Sequence, residues 1–441
     1  MNETLEHLLN AWRLPDLRRK LLFTLGVLII FRFIAHVPIP GVNVAALKQL
    51  LSGNQTISML DLFSGGALAS FSVAALGVYP YITATIVMQL LTPMVPKLEM
   101  LGKEGEAGRN KINQYTRMLT VPLAFLQGFG TVSLLHSSQG AAAGAQVIPQ
   151  FGLWGVTGVV FLQSLTTLIT LTTGTMLLTW LGELITENGI GNGISLIIFA
   201  GIVTRLPSFG QQTAAAGNSL SGALVLTVVA LILVIGIVLI YQGERRIRVE
   251  YARRIRGNRQ MQGSSTHIPL RVNSAGMIPL IFAMSIMLFP ATVASYFKVS
   301  SITWVANIAT VISNIFNSQG VLYWILFFVL VVGFTYFYTL VVFQQQNLPD
   351  SLQKNGGFIP GIRPGRNTAE YLMRVLNRIT LAGALFLGLV AISPLFVQTI
   401  TSTQALTLSS TGLLIVVGVV LDTMKQLEAQ LLMRRYQGFI R

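Results

Sequence analysis

The chain has 441 residues, 52% of them hydrophobic and only 10% charged, with 30 Lys and Arg against 15 Asp and Glu. A soluble domain carries about 25% charged residues, so water alone cannot solvate this surface and lipid has to cover much of it. Cys is absent, which excludes disulfides, thiolate metal sites and thiol catalysis.

The first 20 residues hold Arg13, Arg18, Arg19 and Lys20, and no small-residue cleavage site follows the first apolar run. That run is therefore expected to be a retained helix rather than a cleaved signal. About 20 residues of helix cross a bilayer core of about 30 Å. Apolar runs of that length fall near 21–40, 118–136, 153–181, 222–242, 272–293, 320–343, 375–396 and 411–431. Two further runs are less regular: 59–96 divides after Val73, and 190–205 is short and opens in a Gly-rich turn. Counting both gives an expectation of ten spans.

The piece from Met59 to Val73 is about 15 residues long, too short to span at 1.5 Å per residue. Gly65 and Gly66 permit a bend in its middle. It reads as a re-entrant half-helix, which must be buried in protein or line a cavity, or as an interfacial helix outside the membrane. The following piece, 74–96, contains Pro80, Thr83, Thr85 and Gln89. Such residues in a span usually mark packing or a kink. Val78 and Ile82 lie four apart and share a face.

The loop 102–117 mixes both charge signs with three glycines. It has neither the GK[ST] ending nor the preceding strand of a phosphate loop. The sequence ENGIGNGIS at 187–195 also lacks a preceding strand, so its glycines read as a tight turn opening the fifth span. Ile194 and Ile198 then share one face of that helix. The run 243–260 carries seven Arg against two Glu. It reads either as a topogenic loop or as a docking surface for an acidic or RNA partner. At 354–372 two Pro-Gly turns surround Arg363 and Arg366, which predicts a defined non-helical loop with a partner contact.

Of the 30 Lys and Arg, 26 lie in 1–20, 97–117, 244–271, 354–378 and 425–441. The exceptions are Arg32, Lys48, Arg205 and Lys298. Loops 137–152, 206–221, 299–319 and 397–410 contain none. This positive-inside pattern predicts both termini in the cytoplasm. Ten spans divide into halves of five, and an odd number per half inverts the second about an axis in the membrane plane. Chemistry-bearing groups are sparse. Asp61 lies in the half-helix, Glu183 and Asp422 lie near span ends, and the four His are scattered. No Ser/His, paired-Asp or HExxH arrangement occurs, so neither an enzyme nor a cofactor or metal is expected. A secondary transporter with inverted repeats is the rival reading, but it would need buried ionisable groups.

The segments HVPIPGV (36–42), ALGVYPYITATIVMQLL (75–91), GKEGEAGR and QYTR (within 102–117), ITENGIGNGISLIIFAGIV (185–203), VNSAGMIPLIFA (272–283), GFIPGIRPG (357–365) and RRYQGF (434–439) occur in an order that resembles the SecY family. The resemblance runs from about residue 15 to the C-terminus and fits the bacterial branch best. It implies an all-α polytopic channel of ten spans in two inverted pseudo-symmetric halves. These would be a cytosolic segment 1–20, a half at 21–205, an external hinge 206–221, a half at 222–431 and a cytosolic tail 432–441. Such a channel passes unfolded polypeptides across the bacterial plasma membrane and releases spans sideways into lipid. The half-helix maps to a plug, about 59–73, with Asp61, Leu62, Phe63, Ser64, Gly65 and Gly66 at its centre. The pore ring maps to Val78, Ile82, Ile194, Ile198, Ile281 and Ile415, with Val78 in place of a usual Ile. The second and seventh spans form the lateral gate, here with Thr83, Gln89 and Asn273. The cytosolic loops at 243–271 and 346–373, with Arg245, Arg246, Arg248, Arg253, Arg254, Arg256, Arg363 and Arg366, would dock the SecA motor or the ribosome and its RNA. SecE and SecG are the implied small membrane partners; signal peptides and unfolded chains are the implied cargo.

Overall fold

The computed structural model describes residues 14–53, 61, 64–137, 148, 151, 158–215, 220–251, 255–256, 259–260, 265–297, 303–316, 320–346, 348–395 and 404–437. Helices dominate. The long ones are α1 (Pro15–Ile34), α3 (Tyr79–Met94), α5 (Glu106–Ser137), α6 (Gly158–Asn188), α7 (Gly193–Ala215), α8 (Leu220–Gln242), α9 (Ile278–Phe297), α11 (Val321–Gln346), α13 (Arg366–Ala391) and α14 (Gln404–Gln437). Short helices α2 (Val44–Gly53), α4 (Pro96–Lys103), α10 (Thr303–Ile315) and α12 (Leu348–Lys354) fill the connections. Among the described residues, α5, α6, α11 and α13 are each long and apolar enough to cross a membrane. Shorter apolar helices lie at 193–205, 231–242 and 278–291.

Side-chain distribution fits a lipid solvent. On α1, Leu17, Thr24, Val27 and Phe31 are buried, while Leu25, Ile29 and Phe33 are more than half exposed. Pro15 at the first turn starts this helix, where its missing N–H costs nothing. Helix α6 carries a run of threonines towards the outside. Thr166, Thr167, Thr170 and Thr173 each donate to the carbonyl four residues earlier, at 2.7–2.9 Å. A hydroxyl satisfied within its own helix can face hydrocarbon without the cost of an unmade bond.

The main core joins α1, α3, α6, α7, α8, α9, α11, α13 and α14 in one cluster. Helices up to α7 meet those from α8 onward along two seams, α9 against α3 and α5, and α14 against α7. A second cluster, with Leu47, Phe71, Leu135 and Leu168, holds α2 against the base of α5 and α6.

Two segments differ from the sequence expectation in local structure. From Ser64 to Val78 the chain is a series of turns rather than a half-helix. Gly65, Gly66 and Gly77 have φ of +70°, +87° and +59°, and Phe71 has +42°, values that interrupt a right-handed helix. The segment is stitched to the chain after α1: the Ile39 N–H donates to the Phe71 carbonyl and the Val73 N–H to the Val37 carbonyl. Leu62 and Phe63 lie outside the described residues. The long helix therefore begins at Tyr79, with Val78 as its N-cap.

The basic run after α8 is not irregular either. Strands β1 (Glu244–Tyr251), β4 (Ser265–Arg271) and β5 (Gly357–Phe358) form an antiparallel sheet in the order β4-β1-β5, and β2 (Ile255–Arg256) pairs with β3 (Arg259–Gln260). In β1, Ile247 and Val249 point inward and Arg246 and Arg248 outward, the alternation of a half-buried strand. The inward face packs on Phe343, Leu352, Leu372 and Leu376 of α11, α12 and α13.

Candidate functional site

The elements converge on a cavity of about 760 Å³ that opens to the surface. Part of its wall is polar: Gln89 of α3, Asn110, Asn113, Gln114 and Arg117 of α5, Glu183 and Thr186 of α6, and Asn192 and Ser195 at the start of α7. Arg117 Nε donates to Glu183 Oε1 at 2.7 Å, joining α5 to α6 across the wall. The cavity also touches Ile82, Ile194, Ile198 and Ile281, from α3, α7 and α9. Val78, Ile82, Ile198, Ile281 and Ile415 are all buried in the main core cluster, and Ile194 packs against it. Ala67 and Ala74 of the turn segment belong to the same cluster. Five of the six expected ring residues thus belong to one apolar body with Ile194 packed on it, and four of the six also line the cavity.

Backbone approach makes this convergence possible. A Cβ on Gly193 would sit 1.9 Å from the Gly182 carbonyl oxygen, and one on Gly182 would sit 2.5 Å from Ile194 Cδ1. The Gly193 contact is with main chain and cannot be relieved by a rotamer change, so glycine there lets α7 start close against α6 and bring Ile194 to the cavity.

Polar walls hold water, and branched aliphatic side chains at a constriction expel it by dewetting. Among the described residues no group of His, Asp and Glu is placed to hold a metal ion.

The SecY family model matches residues 72–424, four-fifths of the chain and all the elements just described from Ser72 onward. The chain belongs to the SecY family. It is 44% identical, over 98% of both chains, to a protein translocase subunit SecY of Streptomyces galbus. Among solved structures it is similar to one described as a protein conducting channel, with a TM-score of 0.58 at 17% identity over 93% of this chain and 92% of the other. It is also similar to Sec61 in the canine ribosome-channel complex from the endoplasmic reticulum, with a TM-score of 0.55 at 17% identity over 93% and 92%. The SecY-family fold is therefore present almost from end to end, as a multi-pass helical membrane protein.

The remaining expected site residues divide. Thr83 and Gln89 lie on α3; the Thr83 hydroxyl donates to the Tyr79 carbonyl and accepts from Gln127 Nε2 at 3.3 Å. Asn273 lies in the turn before α9, where its amide donates to the Gly276 carbonyl at 3.0 Å. The side-chain bond that joins α3 to α9 is a different one: Tyr79 Oη donates to the Ser285 carbonyl at 2.8 Å. Arg245, Arg246 and Arg248 are exposed on β1, and Arg256 lies in β2; Arg253 and Arg254 fall outside the described residues. Arg363 is exposed in the turn before α13, and Arg366 pairs with Glu370 at 3.1 Å on the surface.

Asp61 is the site residue for which the sequence suggested no partner. It is fully buried and forms an ion pair with Arg205 of α7. Arg32 of α1 donates to the Gly65 carbonyl at 3.1 Å. Both arginines were visible in the sequence as exceptions to the charge pattern, but no spacing rule linked either to residues 61–66.

Proposed function

We propose that this chain is the protein-conducting subunit of a bacterial secretion translocon. The observation that carries this reading is that aliphatic residues of α3, α7 and α9 line a surface-open cavity with a part-polar wall and belong, with Ile415 of α14, to one apolar core. Ten spans in two inverted halves, 21–205 and 222–431, would surround it, with both termini in the cytoplasm of a plasma membrane. The cavity would then be the cytosolic vestibule, Val78, Ile82, Ile194, Ile198, Ile281 and Ile415 the seal, and the segment at about 59–73 the plug beyond it. The seam of α3 against α9 is the lateral exit to lipid. A secondary transporter would put ion or solute ligands at this depth, whereas an aliphatic floor suits a chain of any sequence.

The sheet β4-β1-β5 with its exposed arginines, together with Arg363 and Arg366, suits docking of a ribosome or a SecA-type motor. SecE and SecG would be the small membrane partners. The exposed Leu, Ile and Val of α1, α8 and α11 leave apolar faces for such helices and for lipid. The test is translocation into vesicles holding the purified complex. An unfolded precursor with a signal sequence should become protease-protected when the motor and ATP are added. Uptake of a small solute without precursor translocation would replace this reading with the transporter.

A further inference from the structure

The positive-inside pattern leaves Arg32 and Arg205 on helices of the apolar region, and ionisable groups at such positions are costly. Both point at the same object. Arg205 pairs with the buried carboxylate of Asp61, and Arg32 caps the Gly65 carbonyl. The glycines there make room for the contact: a Cβ on Gly66 would lie 2.9 Å from Arg205 Nε, and one on Gly65 would lie 2.8 Å from Gly201 Cα of α7. Asp61 also organises its own segment. Its Oδ1 accepts the Ala69 N–H at 2.8 Å, and its carbonyl accepts the Gly66 N–H at 2.9 Å and the Ser64 hydroxyl at 3.0 Å. One carboxylate therefore holds the turn segment together and ties it to α7.

We propose that Asp61 and Arg205, supported by Arg32, form an electrostatic latch that keeps the turn segment seated and sets how strongly an incoming chain must push to displace it. These are positioning residues, and the proposal rests on the channel reading above. Moving the segment separates the pair and strands a carboxylate and two guanidinium groups. Breaking a buried pair from one side is far costlier than neutralising both partners, which gives the latch a distinctive signature.

The chain contains no cysteine, so Ala69→Cys supplies a sole thiol beside the latch. Its labelling by a membrane-impermeant maleimide, in vesicles of the purified complex, reports unseating without relying on transport. In that background Asp61→Asn and Arg205→Gln should each speed labelling about tenfold or more, and the double variant should fall back to within about threefold of the parent. Arg32→Gln, which strands no carboxylate and serves where a single exchange prevents folding, should speed labelling about threefold. Parental labelling in every variant that folds, Arg32→Gln included, would overturn the latch. So would a double variant as fast as the faster single. Faster labelling with no rise in ion conductance would keep the latch and refute the channel reading instead.

Discussion

Gly201→Ala tests how closely the turn segment must seat. A Cβ at this position would lie 2.3 Å from Gly65 Cα and 3.2 Å from Gly65 N. Carbon atoms in contact sit about 3.5–4.0 Å apart, so the two backbones must separate by roughly 1.2 Å. Both partners are main chain, and no rotamer change can absorb the clash. Overpacking of this kind costs about 1–3 kcal/mol. If that cost falls on the seated state alone, the closed-to-open ratio drops about 5- to 150-fold. The assay is resting ion conductance in a planar bilayer, without precursor, alongside the yield of monodisperse protein. Gly26→Ala on α1 is the control, since nothing lies within 4 Å of its added Cβ. It should leave conductance unchanged and gain up to about 1 kcal/mol of helix stability. Normal yield with wild-type tightness in Gly201→Ala would refute the idea that Gly65 against Gly201 holds the segment in place.

Ile415 has no exposed surface, and Ile415→Asn puts an unpartnered amide into the apolar body at a cost of about 1–3 kcal/mol. Resting conductance should rise and weak signal sequences should be accepted; low yield with a tight channel would remove Ile415 from the seal. Tyr79→Phe deletes the bond to Ser285 across the α3–α9 seam, worth about 1 kcal/mol, or about fivefold in the closed-to-open ratio. Translocation of a precursor with a defective signal sequence should increase correspondingly, and no increase would place the bond outside gating. Arg363 is exposed, and among the described residues it bonds through its backbone carbonyl, which accepts the Thr368 hydroxyl at 3.0 Å. Arg363→Glu should therefore hold thermal stability within about 0.5 kcal/mol while slowing motor-driven transport about tenfold; full transport rates would end its docking role.

Much of the architecture was legible because lipid imposes a simple rule. Long apolar stretches become helices, and the apolar run at 375–396, for example, falls within and just beyond α13. The six residues proposed for the ring were singled out through the resemblance, and the pairs Val78/Ile82 and Ile194/Ile198 also through their spacing; the structure puts five of them in one apolar cluster and packs Ile194 against it. The turn segment was harder. A Gly-rich apolar stretch is compatible with helix until positive φ values at Gly65, Gly66 and Phe71 are seen, and tertiary bonds to Val37 and Ile39 impose them. The sheet was hidden by its own charge. In ERRIRVEY the alternation of Ile247 and Val249 with Arg246 and Arg248 was present, but it was read as a basic loop because seven arginines dominate the run. The links from Asp61 to Arg205 and from Tyr79 to Ser285 span 144 and 206 residues, and no local pattern encodes a partner at such distances.

The small sheet has a mechanical consequence. Strand β1 leaves α8 through Gly243 alone, and β4 returns into α9 through a turn whose first N–H, at Val272, donates to the Gly243 carbonyl at 2.9 Å. The hairpin is thus clamped at its root, and its inner face is bolted to α11, α12 and α13. A push on its outer arginines has little slack to take up. In the proposed channel it would arrive as torque at the head of α9, the helix packed against α3, with the sheet as a crank handle and α9 as its shaft.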